Sequence, residues 1–388
     1  MTSFDFDTVI PRKGTDAKKW AAYPADVLPM WVADMDFAAP PSVIEALRAR
    51  VEHGVFGYGL PQDAFRQQIV DDMQAKYGWT ISPDDIVFLP GVEPGFNMAL
   101  KSETKPGDGL LIQTPVYHPI LTAHRNWGLK SIEAPLVATD NGYEMDAEQL
   151  DAAMARSRAF LLCNPHNPTG KVLTREDLSA IAASAIRHDV LVIADEIHCE
   201  LLFDGRRHIP IASLSPEIAE RTITLMSASK TYNIAGLKTA FAIVTNAALR
   251  TRFNASRLGL VDSVNVLGLE ASRVAYATAG PWRDALLTYL QGNRDYLQAE
   301  IARRFPAIRI VPAESTYLAW LDCAALDLPE APQSFFLTHG RVAFSAGADF
   351  GSAYGKYLRV NFGCPRALLE EGLDRMERAL SSFAASAR

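Results

Sequence analysis

The chain has 388 residues, 48% of them hydrophobic and 21% charged, with a formal net charge of −7. This composition excludes global disorder and disfavours a nucleic-acid-binding surface. The polar N-terminus is unlike a secretory signal, no apolar run approaches the roughly 18–20 residues of a membrane span, and four scattered cysteines favour a reducing cytoplasm over a disulfide framework or zinc site.

In chain order, helical patterns alternate with short apolar runs from about Ser42 onward. Helices are predicted over Pro41–His53, Gln62–Tyr77 and Pro94–Ser102. Strands are predicted over Asp85–Leu89, Gly109–Thr114, Ala159–Asn164, Val190–Asp195 and Thr222–Ser227. This alternation favours an α/β fold whose large domain holds a mostly parallel sheet between helices.

The pattern changes near Gly280-Pro281, where a long helix is predicted over Pro281–Phe305. Short strands of different character follow at Thr316–Asp322 and Leu358–Phe362, and a last helix covers Arg366–Ala385. We therefore expect a second, smaller α+β domain. The predicted bounds are an N-terminal arm and part of the small domain over 1–41, the large domain over 42–281 and the small C-terminal domain over 282–388.

Polar residues follow three of the predicted strands directly. They are Asn164 and Asn167, then Asp195 and His198, then the run Ser227-Ala228-Ser229-Lys230. Ligands of open α/β sheets bind beyond the carboxyl ends of the strands. If the three strands are neighbours, these side chains converge on one site.

Lys230 follows an apolar run and stands beside two serines. A lysine amine attacks an aldehyde only when it is neutral, and burial or a nearby cation such as Lys238 lowers its pKa accordingly. A surface lysine after a strand is the alternative. The serines, Asn233 and Gly236 favour a Schiff-base lysine over that alternative.

Asp195 ends the apolar run Val190–Ala194, where an unpaired carboxylate would be costly. A protonated pyridine nitrogen would be a suitable partner, and a lysine with such a carboxylate supplies the two protein contacts that pyridoxal phosphate chemistry needs. The alternatives are a solvent-facing carboxylate at a strand end and a helix N-cap. The adjacent Glu196 is predicted to be structural.

Three further residues could face a cofactor ring. Asn167 lies in a turn that two prolines make rigid, so its amide could donate to a phenolate oxygen. His198 could bind the same oxygen, although a lone histidine is more often structural. Tyr117 follows another strand and could stack on the ring or simply fill the core.

Two anion contacts are also candidates. The Gly91-Val92-Glu93-Pro94-Gly95 run opens a predicted helix, whose N–H groups could bind phosphate, although many strand–helix turns contain glycine. Arg359 lies between apolar residues in a predicted strand and requires an anion. A substrate carboxylate and an internal salt bridge both satisfy that requirement.

From about residue 26 to 380, the chain resembles the fold-type I pyridoxal phosphate enzymes related to aspartate aminotransferase. The resemblance implies the transferase fold of that family, with Lys230 bonded to the cofactor, Asp195 on its pyridine nitrogen and Asn167 on its ring oxygen. The implied phosphate contacts are Ser227, Ser229, Lys238 and the backbone of Val92 and Glu93.

The resemblance also implies roles around the substrate. Tyr117 would stack on the ring and take part in catalysis, while Arg359 and the backbone of Ala33 would bind the substrate carboxylate. Tyr58 would reach the phosphate and substrate of a neighbouring subunit. The implied assembly is a homodimer with active sites at its interface.

Two positions depart from the wider family, which often has tyrosine at His198 and arginine at Lys238. His198 instead resembles the MalY/PatB type of cystathionine β-lyase. The other segments that carry this resemblance are Arg12–Thr15, Met30–Phe37, Asn164–Gly170 and Ser229–Asn233.

The branch implies a carbon–sulfur β-lyase that converts cystathionine or a related S-substituted cysteine to pyruvate, ammonia and a thiol. An aminotransferase would use the same residues up to loss of the α-proton, and a regulatory module of the same fold would lack catalysis. The retained Lys230, Asp195 and Arg359 disfavour the regulatory module. We expect no metal, nucleic-acid or membrane partner.

Overall fold

A computed structural model describes residues 4–386 of the chain. The strands are β1 Leu28–Pro29, β2 Ile86–Leu89, β3 Gly109–Ile112, β4 Lys130–Glu133, β5 Val137–Thr139, β6 Gly142–Glu144, β7 Ala159–Cys163, β8 Leu191–Asp195, β9 Thr222–Met226, β10 Ala240–Ile243, β11 Arg309–Ile310, β12 Leu318–Asp322, β13 Val342–Ala343, β14 Ser345–Ala346 and β15 Tyr357–Asn361. The helices are α1 Lys18–Ala21, α2 Pro41–Glu52, α3 Asp63–Tyr77, α4 Val92–Glu103, α5 His118–Asn126, α6 Ala147–Met154, α7 Arg175–Arg187, α8 Pro216–Ala219, α9 Ala247–Ala255, α10 Val266–Thr278, α11 Gly280–Arg304, α12 Pro332–Phe335 and α13 Arg366–Ser386.

The central sheet carries the candidate site. Within residues 4–386 it has seven strands, in the order β2-β10-β9-β8-β7-β3-β4. All neighbours from β9 to β4 are parallel, whereas β10 runs antiparallel to both of its neighbours. Strands β7, β8 and β9 are buried along their whole length, which explains their continuous apolar runs. The predicted α/β fold with a mostly parallel sheet is confirmed.

The helices and strands that the sequence predicted are present, with ends within two residues of the expected positions. The long helix α11 begins at Gly280, where the pattern changes. Strand β10 was not predicted. Its four residues Ala240–Ile243 follow the Lys230 loop so closely that the pattern offered no separate signal.

A second sheet lies in the C-terminal part of the described chain. Its four strands are antiparallel in the order β11-β12-β15-β14. The N-terminal segment joins this part of the molecule, because β1 pairs in parallel with β13. One apolar cluster connects both, with Met30, Phe37, Leu318 and Val360 among its members. The domain bounds 1–41, 42–281 and 282–388 stay predictions.

All four cysteines are free and buried, as small apolar side chains would be. Glu196 is also buried, and its carboxylate binds His208 at 2.7 Å and accepts a bond from the Ile211 N–H. The structural role predicted for Glu196 agrees with these contacts. Among the helices of residues 4–386, none combines the length and apolar character needed to cross a bilayer.

Candidate active site

The predicted site residues converge on one cavity of about 470 Å³ at the carboxyl ends of β7, β8 and β9. The cavity is lined by Val32, Ala33, Pro90, Gly91, Val92, Glu93, Pro94, Phe96, Tyr117, Cys163, Asn167, Asp195, Ile197, His198, Ser227, Ser229, Lys230, Ala235, Lys238 and Arg359. Every residue predicted for the site except Tyr58 is in this set. The strand order explains the convergence, because β7, β8 and β9 are adjacent.

Lys230 extends into the cavity from the loop after β9. Its Nζ donates a hydrogen bond of 2.6 Å to the carbonyl of Ala33. Burial of the amine lowers the pKa of Lys230 to about 8, and the positive charges of Arg359 and Lys238 act in the same direction. The amine is therefore much closer to its nucleophilic neutral form at physiological pH than a solvated lysine would be.

Asp195 ends β8 and is only 5% exposed. Its carboxylate accepts a hydrogen bond from the Ile197 N–H at 3.1 Å, and within residues 4–386 it forms no salt bridge. Burial raises the pKa of Asp195 to about 6. A buried carboxylate without a cationic partner is costly, and a protonated ring nitrogen would supply that partner.

The ring of His198 is buried on the loop after β8, three residues beyond Asp195. Its Nδ1 atom has no hydrogen-bond partner among the described residues. Burial lowers the pKa of His198 well below its usual range, so the imidazole is neutral. Because a buried polar atom without a partner is costly, this nitrogen marks a place for a ligand atom.

Asn167 and Tyr117 come from two different loops that are tied together. The Tyr117 N–H donates to the Asn167 carbonyl at 3.0 Å. The side-chain oxygen of Asn167 accepts a bond of 3.1 Å from Arg359, which orients its amide. Burial raises the pKa of Tyr117 to about 12, so this phenol stays protonated and can donate.

Arg359 lies on β15 and closes the cavity from the C-terminal part of the chain. One of its terminal nitrogens bonds Asn167, and the other bonds the Trp31 carbonyl at 2.8 Å and the Ser345 hydroxyl at 3.1 Å. Its Nε is buried without a partner among the described residues. Burial lowers the pKa of Arg359 to about 10, which leaves it charged at neutral pH and in need of an anion.

The predicted phosphate contacts lie at the end of the cavity formed by the loop after β9 and the start of α4. The Ser227 hydroxyl lies 2.7 Å from that of Ser229 and donates to the Thr239 carbonyl at 2.6 Å. Lys238 adds a cation in the left-handed conformation, at φ +51°. Val92 and Glu93 are the first residues of α4, where free N–H groups favour phosphate.

Tyr58 is the one predicted site residue that lies elsewhere. Its side chain is 99% exposed, on a loop without regular structure before α3. A wider depression of about 890 Å³ lies near this loop and includes Gly59 and Leu60. The smaller cavity is the candidate active site, because it alone of the two contains the buried ionisable groups described above.

Sequence reasoning missed Tyr317 and Ser345, two residues that bond to residues of the site. The hydroxyl of Tyr317 donates to the Ala33 carbonyl at 2.9 Å, and Ser345 bonds Arg359. Tyr317 comes just before β12 and had no motif around it. Only the three-dimensional pairing of β12 and β14 with β15 brings both residues to Arg359.

Taken together, the donors fit a phosphorylated pyridine aldehyde. Lys230 could form the covalent link, Asp195 could hold a protonated ring nitrogen, and Asn167 and His198 could bind a ring oxygen. The hydroxyls of Ser227 and Ser229, Lys238 and the α4 N-terminus fit a phosphate. The partnerless atoms of His198 and Arg359 both belong to this cavity.

Comparison with known proteins identifies the family of the chain. Residues 25–376 match the family described as aminotransferase class I and II. The chain is 38% identical to cystathionine beta-lyase PatB of Bacillus subtilis, covering 97% of this chain and 100% of PatB, and 33% identical to protein MalY of Escherichia coli, covering 97% and 99%. The crystal structure of cystalysin from Treponema denticola, which contains pyridoxal 5'-phosphate, superposes with a TM-score of 0.95 at 32% identity over 98% of this chain and 100% of cystalysin. The chain belongs to the aminotransferase class I and II family, and within it is similar to cystathionine β-lyases of the MalY/PatB type.

Proposed function

We propose that this protein is a pyridoxal phosphate-dependent carbon–sulfur β-lyase. It cleaves L-cystathionine or a related S-substituted cysteine, with water, to pyruvate, ammonia and a thiol. The observation that carries the proposal is the presence, in one cavity, of a lysine amine with a lowered pKa and a buried carboxylate that forms no salt bridge within residues 4–386. The relatives named as cystathionine beta-lyases support the carbon–sulfur specificity.

The cofactor would be held at three points. Lys230 provides the covalent attachment, Asp195 the contact to the ring nitrogen, and the serines of the Lys230 loop the contact to the phosphate. When bound, pyridoxal phosphate draws electrons from the substrate α-carbon into its protonated ring. Asp195 contributes by keeping the proton on that ring nitrogen, since a buried carboxylate gains from a permanent cationic partner.

Lys230 would act as the base at the substrate α-carbon. When this amine carries no covalent partner, its lowered pKa makes the neutral, proton-accepting form available. The hydrogen bond from Nζ to the Ala33 carbonyl shows where this amine rests when it carries no covalent partner. Lys230 can then hold the proton that it takes from the α-carbon.

Arg359 would orient the substrate by its carboxylate. Its two terminal nitrogens are already fixed by Asn167, Ser345 and Trp31, while Nε retains a free donor. A carboxylate held there would restrict the orientation of the substrate and so of its α-proton. The sulfur leaves from the β-carbon as a thiolate, and the protonated Lys230 or the neutral phenol of Tyr117 can give it a proton.

The decisive assay supplies purified, cofactor-loaded protein with cystathionine and no keto acid. We expect equal amounts of pyruvate and free thiol, and we expect Lys230→Ala to abolish both. Amino-group transfer that requires an added keto acid would identify an aminotransferase instead. A protein that binds the cofactor but does neither would be a regulatory module, and our proposal would be wrong.

We also infer that the protein works as a homodimer. The loop 54–60 exposes Val55, Phe56, Tyr58 and Leu60, and apolar side chains of this size on a single surface favour a protein partner. A second copy would cover them and bring Tyr58 toward the neighbouring phosphate. The compartment is inferred to be the cytoplasm, where buried free cysteines stay reduced.

A further inference from the structure

The segment Trp31–Phe37 has no regular secondary structure, and most of its carbonyls accept hydrogen bonds from side chains. Asn361 donates to the carbonyls of Val32 and Asp34 at 2.7 and 2.8 Å. Asn233 donates to those of Met35 and Phe37 at 3.0 and 2.7 Å. These contacts place the segment in a single conformation between the two sheets.

Two functional side chains use the same segment. Lys230 Nζ lies 2.6 Å from the Ala33 carbonyl, and Arg359 lies 2.8 Å from the Trp31 carbonyl. The base and the carboxylate-binding arginine are therefore attached to carbonyls only two residues apart. A displacement of this backbone would move the resting position of Lys230 and the orientation of Arg359 together.

Arg12 is bonded to the far side of the segment. One terminal nitrogen contacts Asp36 at 2.6 Å and the Met35 carbonyl at 3.2 Å, and the other contacts Asp34 at 2.6 Å. Arg12 itself is 22% exposed and lies outside the cavity. Its fork joins the two carboxylates on either side of Met35, which a single ammonium group could not reach with the same geometry.

We propose that Arg12 is a positioning residue for Lys230: its forked contacts with Asp34, Asp36 and the Met35 carbonyl hold the Ala33 carbonyl where it receives the free lysine amine. The inference rests on the proposed role of Lys230 and extends it to the N-terminal arm. Arg12 touches neither substrate nor cofactor. It acts through the backbone that carries Ala33.

The Lys230 amine has charged neighbours from several elements. Arg359 on β15 and Lys238 before β10 lower its pKa, whereas Asp34 in the segment and Asp195 on β8 raise it. An acceptor such as the Ala33 carbonyl stabilises the charged amine and also raises its pKa. Loss of that acceptor therefore lowers the pKa, whereas loss of the positive charge at Arg12 alone would raise it.

Arg12→Lys separates these two effects, because it keeps the charge and removes the fork. Full-length protein freed of cofactor is labelled with acetic anhydride across pH, and mass spectrometry follows the peptide that contains Lys230. We expect the midpoint of labelling to fall by about half a pH unit or more relative to the unsubstituted protein. In the cofactor-loaded enzyme, we expect a lower kcat with cystathionine.

Arg375→Lys is the matched control. Arg375 is similarly buried, pairs with Glu371 and donates to two backbone carbonyls, but lies away from the cavity. We expect its labelling midpoint to be unchanged, even if its thermal midpoint falls as far as that of Arg12→Lys. Folding should survive in Arg12→Lys, since Asp36 keeps its contacts with Lys19 and Trp20.

A labelling midpoint that stays constant or rises in Arg12→Lys would overturn the proposal. If Arg12 were purely structural, the two lysine variants would differ only in stability. Failure of the proposed function would show differently, as unsubstituted enzyme that releases no pyruvate from cystathionine. The labelling measurement uses no substrate and is independent of that result.

Discussion

The two central side chains of the cavity have pKa values shifted toward each other. Burial raises the pKa of Asp195 to about 6 and lowers that of Lys230 to about 8. The negative charge of Asp195 limits the fall in the pKa of Lys230, and the positive charge of Lys230 limits the rise in the pKa of Asp195, because a carboxylate and an ammonium stabilise one another. Without a ligand, the fold therefore maintains an ionised Asp195 at neutral pH at a cost in stability, as is common at functional sites.

Asp195→Asn should make the cofactor-free protein more stable at pH 7. Because the pKa of Asp195 is raised in the folded state, its ionised carboxylate lowers the free energy of unfolding. This penalty disappears as the carboxylate is protonated at lower pH. From a shift of 3.8 to about 6, the gain is about 3 kcal/mol at pH 7 and about half of that at pH 5. Urea denaturation at both pH values measures it.

Asp189→Asn provides a control of opposite sign. Asp189 is exposed, and its hydrogen bond with Arg221 lowers the pKa of its carboxyl, so removal of the charge should not stabilise the fold. If Asp195→Asn lost stability at pH 7 as well, attraction from the Lys230 ammonium would outweigh the burial penalty of the carboxylate, contrary to our account. The same variant should bind the cofactor more weakly, since its amide no longer pairs with a ring cation.

Sequence alone predicted the residues that follow strand ends, because the parallel order β7-β8-β9 places those ends together. It could not predict partners that depend on long-range packing. Tyr317 meets the Ala33 carbonyl across 284 positions of chain, and the acceptor is a backbone atom that no side-chain motif identifies. The forked contacts of Arg12 with Asp34 and Asp36 could not be predicted for the same reason.

At the scale of elements, the position of α4 sets the end of the cavity where we propose that phosphate binds. Gly95, in its first turn, lies against β2 and β9, and a Cβ there would approach Leu89 and Leu225 side chains to 2.8 Å. The absence of a side chain lets the helix start close to the sheet. Its first residues, Val92 and Glu93, then line the same cavity as Ser227 and Lys238.

Gly95→Ala should displace the start of α4 and weaken phosphate binding. We expect a loss of about 1–3 kcal/mol in the free energy of unfolding and a several-fold higher dissociation constant for the cofactor, measured by fluorescence titration. Gly280→Ala is the control, because a Cβ at Gly280 meets nothing within 4 Å. Equal cofactor binding by both variants would show that the approach of α4 does not matter.

The central strands could be predicted because burial on both faces gives continuous apolar runs, as in β8. The edge strand β4 could not be predicted from the sequence. Its residues Lys130–Glu133 are largely exposed, so the sequence there is polar and resembles a loop. Pairing with β3 alone defines it as a strand.

At the scale of the whole molecule, the exposed Tyr58 lies apart from the candidate active site of its own chain. It lies outside the cavity on a loop with apolar neighbours such as Leu60. A homodimer with shared active sites would explain both its exposure and its resemblance to the family tyrosine. Sedimentation should then give twice the 42.5 kDa mass of the chain.

Mixing two inactive variants tests the shared site directly. Tyr58→Ala and Lys230→Ala should each be poorly active alone. After unfolding and refolding together, about a quarter of the sites should be complete, because half of random dimers are mixed and each mixed dimer contains one intact site. Activity that stays at the level of the separate variants would exclude a contribution of Tyr58 to the neighbouring site.

The most direct measurement is to trap the link between protein and cofactor. Protein saturated with pyridoxal phosphate is reduced with borohydride, digested and analysed by mass spectrometry. We predict one added cofactor per chain, on the peptide that contains Lys230. An adduct on any other lysine, or none on saturated protein, would contradict the assignment of this cavity and the reaction derived from it.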